Sequence, residues 1–324
     1  MGGLPGAGMG YGDHMDRPLV IGTRGSPLAL WQARWVRDKL ARALGLLEDA
    51  DLRIPIEVIS TSGDRLSGAL SEWGGKGLFT RELEVALVSG AVDLAVHSMK
   101  DVPTVGRPEL AIAAVLERAD VRDAFLSPRA DSLMALPDGA LVGSASIRRR
   151  AQAARVRPDL RFVLLRGNVG TRLDRLREGV CDATFLACAG LDRLGQGVLA
   201  TERVDTDLML PAPAQGAVGV EVRADDAEVR DAVARLDHAP TRRAVTVERA
   251  FLQALDGSCR TPIAALLENV GEGGRFRGEV IAPDGTLWFS RDEAVEAGED
   301  ARAAGLRIGE SLRNDIGGRI VFDA

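Results

Sequence analysis

Leu19-Val20-Ile21-Gly22-Thr23-Arg24-Gly25-Ser26-Pro27-Leu28-Ala29-Leu30-Trp31 is the stretch that decides the architecture. Leu19 to Thr23 is apolar and rich in β-branched residues, the composition of a buried strand. Arg24-Gly25-Ser26 then turns the chain. The Ser26 hydroxyl suits a helix N-cap, and Pro27 suits the first helical position, where a missing N–H costs nothing. Leu28, Trp31, Trp35, Leu40 and Leu44 recur at helical intervals until Gly45, which predicts an amphipathic helix ended by a left-handed glycine. Strand, tight turn and amphipathic helix form the unit of an α/β protein.

The unit repeats outward from there. Ile54 to Ile59 predicts a strand, Phe79 to Val88 a helix and Val92 to His97 a second buried strand. A further set follows: strand Ala140–Gly143, a helix from Ile147 behind Ser144-Ala145-Ser146, strand Phe162–Leu165, helix Thr171–Arg177 and strand Ala183–Ala187. Val218 to Val222 predicts a returning strand, with helices over Asp226–Leu236 and Arg242–Leu255. From about Thr261 the punctuation changes to hairpin turns at Gly271 to Gly274 and Pro283-Asp284-Gly285, with a last helix from Ala301 to Arg313. The expectation is α/β units followed by a small α+β domain.

Composition narrows the function. The 324 residues carry 41 basic and 47 acidic side chains, a net charge of −6, so no global field favours a polyanion. No apolar run reaches the roughly 20 residues of a membrane span. The glycine-rich Met1 to Arg17 lacks a secretory pattern and reads as a disordered tail. Three cysteines without metal spacing point to a reducing compartment, hence the cytoplasm. His14, His97 and His238 are too few and too scattered for a histidine metal centre, and His97, ending an apolar strand, reads as a hydrogen-bonded structural residue.

Charge is nevertheless concentrated locally. Arginines stand at 148, 149, 150, 155, 157, 161, 166, 172, 175 and 177, opposed in that span only by Asp159 and Asp174. Two uses compete, a surface for phosphate backbones and a pocket for carboxylates or phosphates on a small ligand. One aromatic, Phe162, and no lysine occupy the span, which favours the pocket over a stacking platform for single strands. Arg24, Ser26, Lys100, Asp101, Ser146, Arg148 and Arg149, and Arg166 with Arg172, all fall just after predicted strands, where α/β sheets bind ligands.

Cys181 and Cys188 flank the apolar run Ala183 to Ala187 and read as core. Cys259 differs. Asp256-Gly257-Ser258-Cys259-Arg260-Thr261-Pro262 is a loop-like setting in which an arginine neighbours the thiol. Locally, two readings stay open: a thiolate-prone nucleophile or attachment point, and an incidental loop cysteine.

The runs Ile21 to Ala33, Gly74-Gly75-Lys76-Gly77-Leu78-Phe79, His97-Ser98-Met99-Lys100-Asp101-Val102-Pro103, Leu165 to Leu173, Gln215-Gly216-Ala217-Val218-Gly219 and Gly257-Ser258-Cys259 closely resemble the porphobilinogen deaminase (hydroxymethylbilane synthase) family, in the same order and over about residue 18 to the C-terminus. The resemblance implies two periplasmic-binding-protein-like (type II) α/β domains and a small C-terminal α+β domain. Domain 1 is then 18–116 with 217–236, domain 2 is 117–216 with the arginine-rich cleft, and domain 3 is 237–324 with the cofactor loop. It implies a monomeric cytoplasmic transferase, without nucleic acid or membrane as partner, that joins four porphobilinogen molecules head to tail and releases ammonia.

The resemblance also assigns residues. Cys259 would carry a dipyrromethane primer through a thioether, and Asp101 would be the catalytic carboxylate. Arg24, Ser26, Ser146, Arg148, Arg149, Arg166, Arg172 and Arg193 would hold acetate and propionate side chains, with Lys76, Phe79, Lys100, Gly170 and Gln215 also lining the cofactor and substrate site. Arg150, Arg155, Arg157 and Arg161 receive no such role and are expected to be surface charge. Glu72 stands where many family members have lysine, which sets aside a substrate contact at that position. The competing class is a two-lobed, non-catalytic binder of a carboxylate-rich solute.

Overall fold

The computed structural model describes residues 17–61, 80–256, 262–270 and 273–320; of the expected tail only Arg17 falls within them. In chain order the elements are β1 (Ile21–Thr23), α1 (Pro27–Leu44), α2 (Ala50–Arg53), β2 (Ile56–Val58), α3 (Arg81–Val88), β3 (Leu94–Ser98) and β4 (Leu110–Val115). Next come β5 (Asp123–Leu126), β6 (Leu141–Gly143), α4 (Ile147–Val156), β7 (Arg161–Val163), α5 (Val169–Arg177), β8 (Ala183–Ala187), α6 (Cys188–Arg193) and β9 (Glu202–Arg203). The chain continues with β10 (Val218–Arg223), α7 (Ala227–Ala234), α8 (Ala239–Ala254), β11 (Ile263–Val270), β12 (Gly273–Ile281), β13 (Trp288–Val295) and α9 (Ala301–Ile316).

The first sheet has the order β2-β1-β3-β10-β4 and the second β7-β6-β8-β5-β9. In each, the three leading strands run parallel, while one strand inserted between the third and the last runs antiparallel to both neighbours. The inserted strand reaches the two sheets from opposite ends of the sequence: β10 comes after the second sheet is built, and β5 comes before its own sheet begins. Residues 116–122 and 204–217 therefore cross between the lobes. The fold is α/β in both lobes, with a third, antiparallel sheet β11-β12-β13 completing a small α+β unit.

Local chemistry produces these elements as the sequence leads one to expect. Ser26 Oγ accepts from Ala29 N at 3.3 Å, and Gly45, at φ 74°, closes α1. The face that α1 buries is Ala33, Val36, Leu40, Ala41 and Leu44, packed against Ile21, Leu94, Val96 and Val220. Trp35 packs against this core while only partly buried, and Trp31 lies outside it. They stack on each other at 5.7 Å, partly exposed, and Arg193 lies over both rings. In the third unit, α8 and α9 sandwich no side chain at Gly305, where a Cβ would meet Val247 O at 2.2 Å. Only glycine allows that approach. Phe251 and Phe276 then pack at 4.9 Å over the sheet.

Cys181 and Cys188 are buried and unpaired, as their apolar setting predicts. Two arginines correct the surface-charge expectation. Arg155 reaches Glu279 of β12 at 2.6 Å, with both side chains largely buried, and so ties α4 to the third sheet. Arg157 pairs with Asp159 and donates to the carbonyls of Met134 and Leu136, closing the 133–137 loop on the end of α4. The sequence offered no sign of partners so distant along the chain. Arg161 is exposed as expected, and Arg150 lies over the Phe162 ring. Among the described residues no helix is long and apolar enough to cross a membrane.

Candidate active site

Strand ends deliver the polar groups. Arg24 and Ser26 follow β1 into the start of α1; Lys100 and Asp101 sit on a 3-10 turn, Met99–Asp101, directly after β3; Ser146, Arg148 and Arg149 begin α4 behind β6. Helix starts present unpaired amides and partial positive charge, which favours anions. Arg24, Ser26, Gln32, Thr80, Ser98 and Asp101 face one open recess of about 420 Å3. Asp101 is exposed there. Behind it Gln32 Nε2 donates to Ser98 Oγ at 2.9 Å, and His97 Nε2 lies 3.1 Å from Glu221 Oε2, both side chains buried. The structural role expected of His97 is what it has.

The second lobe meets this turn through a carboxylate that sequence reasoning missed. Asp123, at the start of β5, is fully buried and accepts from Arg148 Nη2 at 2.8 Å, Arg149 Nη2 at 2.7 Å and Gln215 Nε2 at 2.9 Å. These cations hold its carboxyl well below the usual aspartate range, although burial alone would raise it. Arg148 also donates to Leu210 O and Arg149 to Phe185 O, so much of both forks is already engaged. Gln215 reaches the other way: its Oε1 accepts from Lys100 Nζ at 3.3 Å. Gln215 thus joins the Asp101 turn of the first lobe to the arginine pair of the second. The available signal was an aspartate opening the apolar run Ala124-Phe125-Leu126, a charge that burial obliges to find partners.

Around Asp101 positive charge is in excess. Lys100 is pushed down to about 8 by burial and then by Arg149, against the opposing pull of Asp101 and Asp123. Arg172 is lowered to about 10 by burial and by Arg149 and Arg166, again opposed by Asp101. Lys100, Arg148, Arg149, Arg166 and Arg172 thus face two carboxylates, Asp101 and Asp123. Further carboxylates entering the cleft would relieve this repulsion, and a dipyrromethane with an acetate and a propionate on each ring supplies that chemistry. In that respect the residues present fit such a group.

The remaining expected residues take several positions. Ser146 Oγ caps α4 through Arg149 N at 3.4 Å, and Arg172 Nε donates to Gly167 O at 2.8 Å. Gly170 lies exposed in the first turn of α5, whose N-cap is Asn168. Arg193 is drawn aside: its Nη2 donates to Gly216 O at 2.7 Å while it stacks on Trp31, at the crossing between lobes. Burial lowers it to about 10. Gly216 has φ 87°, and a Cβ there would meet Ala119 O at 2.7 Å, so the two crossings touch backbone to backbone. Lys76, Phe79, Cys259 and Glu72 lie outside the described residues. No cluster of possible metal ligands occurs among the described residues.

Comparison with known proteins agrees with this chemistry. Residues 19–231 match the family model "Porphobilinogen deaminase, dipyromethane cofactor binding domain", and residues 242–314 match "Porphobilinogen deaminase, C-terminal domain". The chain is 52% identical over 299 residues to a porphobilinogen deaminase of Paracoccus denitrificans, covering 92% of this chain and 94% of that one. It is 49% identical over 304 residues to a porphobilinogen deaminase of Nitrobacter hamburgensis, covering 93% and 95%. Among solved structures, a periplasmic substrate-binding protein of an ABC transporter from Coxiella burnetii aligns with a TM-score of 0.42 and 16% identity, over 69% of this chain and 94% of that one. That similarity adds nothing to the topology read from strand register.

Proposed function

This chain belongs to the porphobilinogen deaminase family, and from that premise we propose how its residues divide the work. It is an enzyme of tetrapyrrole biosynthesis that transfers aminomethylpyrrole units, building hydroxymethylbilane from four porphobilinogen molecules with release of ammonia, and it uses a dipyrromethane cofactor. This reading takes the place of a non-catalytic binder. We assign the covalent attachment to Cys259 and place the enzyme in the cytoplasm as a monomer with no nucleic-acid partner. We divide the chain into 18–116 with 217–236, 117–216 and 237–324, a division that the membership of the three sheets supports.

The observation that carries the site assignment is Asp101, exposed on its turn and surrounded by cations that lack enough carboxylates. Loss of ammonia from porphobilinogen leaves a cationic methylene-pyrrole. A carboxylate beside the pyrrole N–H stabilises that charge more as it develops than in the bound substrate, which is the condition for accelerating the step. Asp101 can also accept the proton lost when the new carbon–carbon bond is made. When bound, the dipyrromethane supplies the pyrrole carbon onto which units are added. Arg24, Ser26, Ser146, Arg148, Arg149, Arg166 and Arg172 orient the acid side chains, with Gln215 bracing the Arg148–Arg149 pair through Asp123. Arginine forks suit carboxylates better than point charges do. Lys100 holds an acid group of the bound chain, Gly170 leaves the first turn of α5 open to another, and Lys76 and Phe79, outside the described residues, are assigned to cofactor and substrate binding. Arg193 adds its charge at the lobe crossing.

Two variants test this. Cys259→Ala is expected to lose the dipyrrole adduct in intact-protein mass spectra, and Asp101→Asn to keep the adduct while turnover drops roughly 100-fold or more. An adduct retained by Cys259→Ala, or normal tetrapyrrole production by Asp101→Asn, overturns the corresponding assignment.

A further inference from the structure

The turn that carries Asp101 is gripped from behind by the third unit. Arg249, near the end of α8, donates through Nη1 to Met99 O at 3.2 Å and Val102 O at 2.7 Å, and through Nη2 to Pro103 O at 2.5 Å. A single fork therefore holds carbonyls on both sides of Asp101. Among the described residues Arg249 makes no ion pair, and burial lowers it to about 10. A charge held in this way, spent on backbone oxygens rather than on a carboxylate, is an expensive arrangement for surface decoration.

The same turn is also packed at Met99 and Val102. Met99 is buried with Val115, Ala214, Ala217 and Val245, while a recess bordered by Thr104, Thr246, Arg249 and Gln253 opens beside it, between the turn and α8. The neighbouring Glu248 is fully buried and accepts from Arg118 at 2.6 Å, Ala214 N at 2.6 Å and Leu267 N at 2.9 Å. One turn of α8 thus anchors both lobe crossings, β11 and the Asp101 turn, and the helix ends at Ala254, five residues before Cys259.

We propose that Arg249 is a positioning residue for the reaction: its fork fixes the Met99–Pro103 backbone, and with it Asp101, relative to the helix that precedes Cys259 in the sequence. The inference rests on Asp101 being the catalytic carboxylate. Displacing a reacting group by about 1 Å from outside the site can cost on the order of 100-fold in rate. Arg249→Lys keeps the charge but loses the fork. It is expected to retain its dipyrrole adduct by intact mass and to lower kcat roughly 10- to 100-fold while KM stays within about twofold. Arg249→Ala should recover part of its kcat when free guanidinium is added.

A double-mutant cycle separates this inference from the reading beneath it. In an Asp101→Glu background, Arg249→Lys should cost much less than it does alone, because both changes act through one carboxylate. Additive losses, an unchanged kcat, a rise confined to KM, or variants that fail to load cofactor would each overturn the positioning role. If Asp101→Asn is fully active, the catalytic assignment itself fails, whatever Arg249 does.

Discussion

Asp123→Asn is expected to unlock the second lobe. The carboxylate is wholly buried and takes Arg148 at 2.8 Å, Arg149 at 2.7 and 3.1 Å and Gln215 at 2.9 Å. Asparagine keeps the shape but offers one acceptor oxygen and turns an N–H2 toward a donor. It also leaves two buried guanidiniums without a countercharge. Breaking a buried pair in this way costs about 3–5 kcal/mol, which for a lobe of about 100 residues is a fall in Tm of roughly 12–40 °C. Differential scanning calorimetry of wild type and variant at pH 7 reads it directly. The folded-state pKa of Asp123 lies below its ordinary 3.8, so its stabilisation is present above that value and is lost as pH falls. The gap between the two proteins should therefore narrow in acid. A Tm change under about 2 °C at pH 7, or a gap that widens on acidification, would refute the account of Asp123 as the anion that holds Arg148 and Arg149 in place.

Lys100 loses its charge near pH 8, so KM for porphobilinogen is expected to climb as pH rises through that value, and Lys100→Arg to flatten the climb; steady-state rates between pH 7 and 9 decide it. The same depressed pKa makes the free protein slightly more stable as pH rises from about 8 to 10.5, since the unfolded lysine still binds a proton there that the folded one has released. Gly305→Ala should destabilise by roughly 1–3 kcal/mol in urea melts, because its methyl would sit 2.2 Å from Val247 O; an unchanged midpoint would mean that α8 and α9 part without penalty.

What the sequence made legible was local. Ser26, Pro27 and Gly45 bound α1 because caps act within one turn of the residues they serve, and Ala183–Ala187 reads as the strand it is because its burial is continuous. Legibility ended where the partner is distant. Nothing near Asp123 names Arg148, Arg149 or Gln215, and β4 and β5 escaped because their sheet neighbours, β10 and β8, lie far along the chain. Helical spacing grouped Trp31 with Trp35, but only Trp35 packs against the core, since periodicity reports an apolar face but not whether protein or cleft lies against each residue on it. The site's residue types were readable from strand ends and from the family resemblance. The bracing of that site by Gln215, Asp123 and Arg249 was not.

The antiparallel strand of the first sheet sets a condition on synthesis. Among the described residues β4 pairs only with β10, and β3 presents an open edge until β10 arrives. While the ribosome extends the polypeptide from Val115 to Val218, the emerging half-protein holds two unsatisfied strand edges, the kind of surface that sticks to other nascent chains. A polypeptide stopped anywhere before β10 cannot complete its first lobe, so premature termination there leaves a substrate for chaperones and proteases rather than a smaller working enzyme.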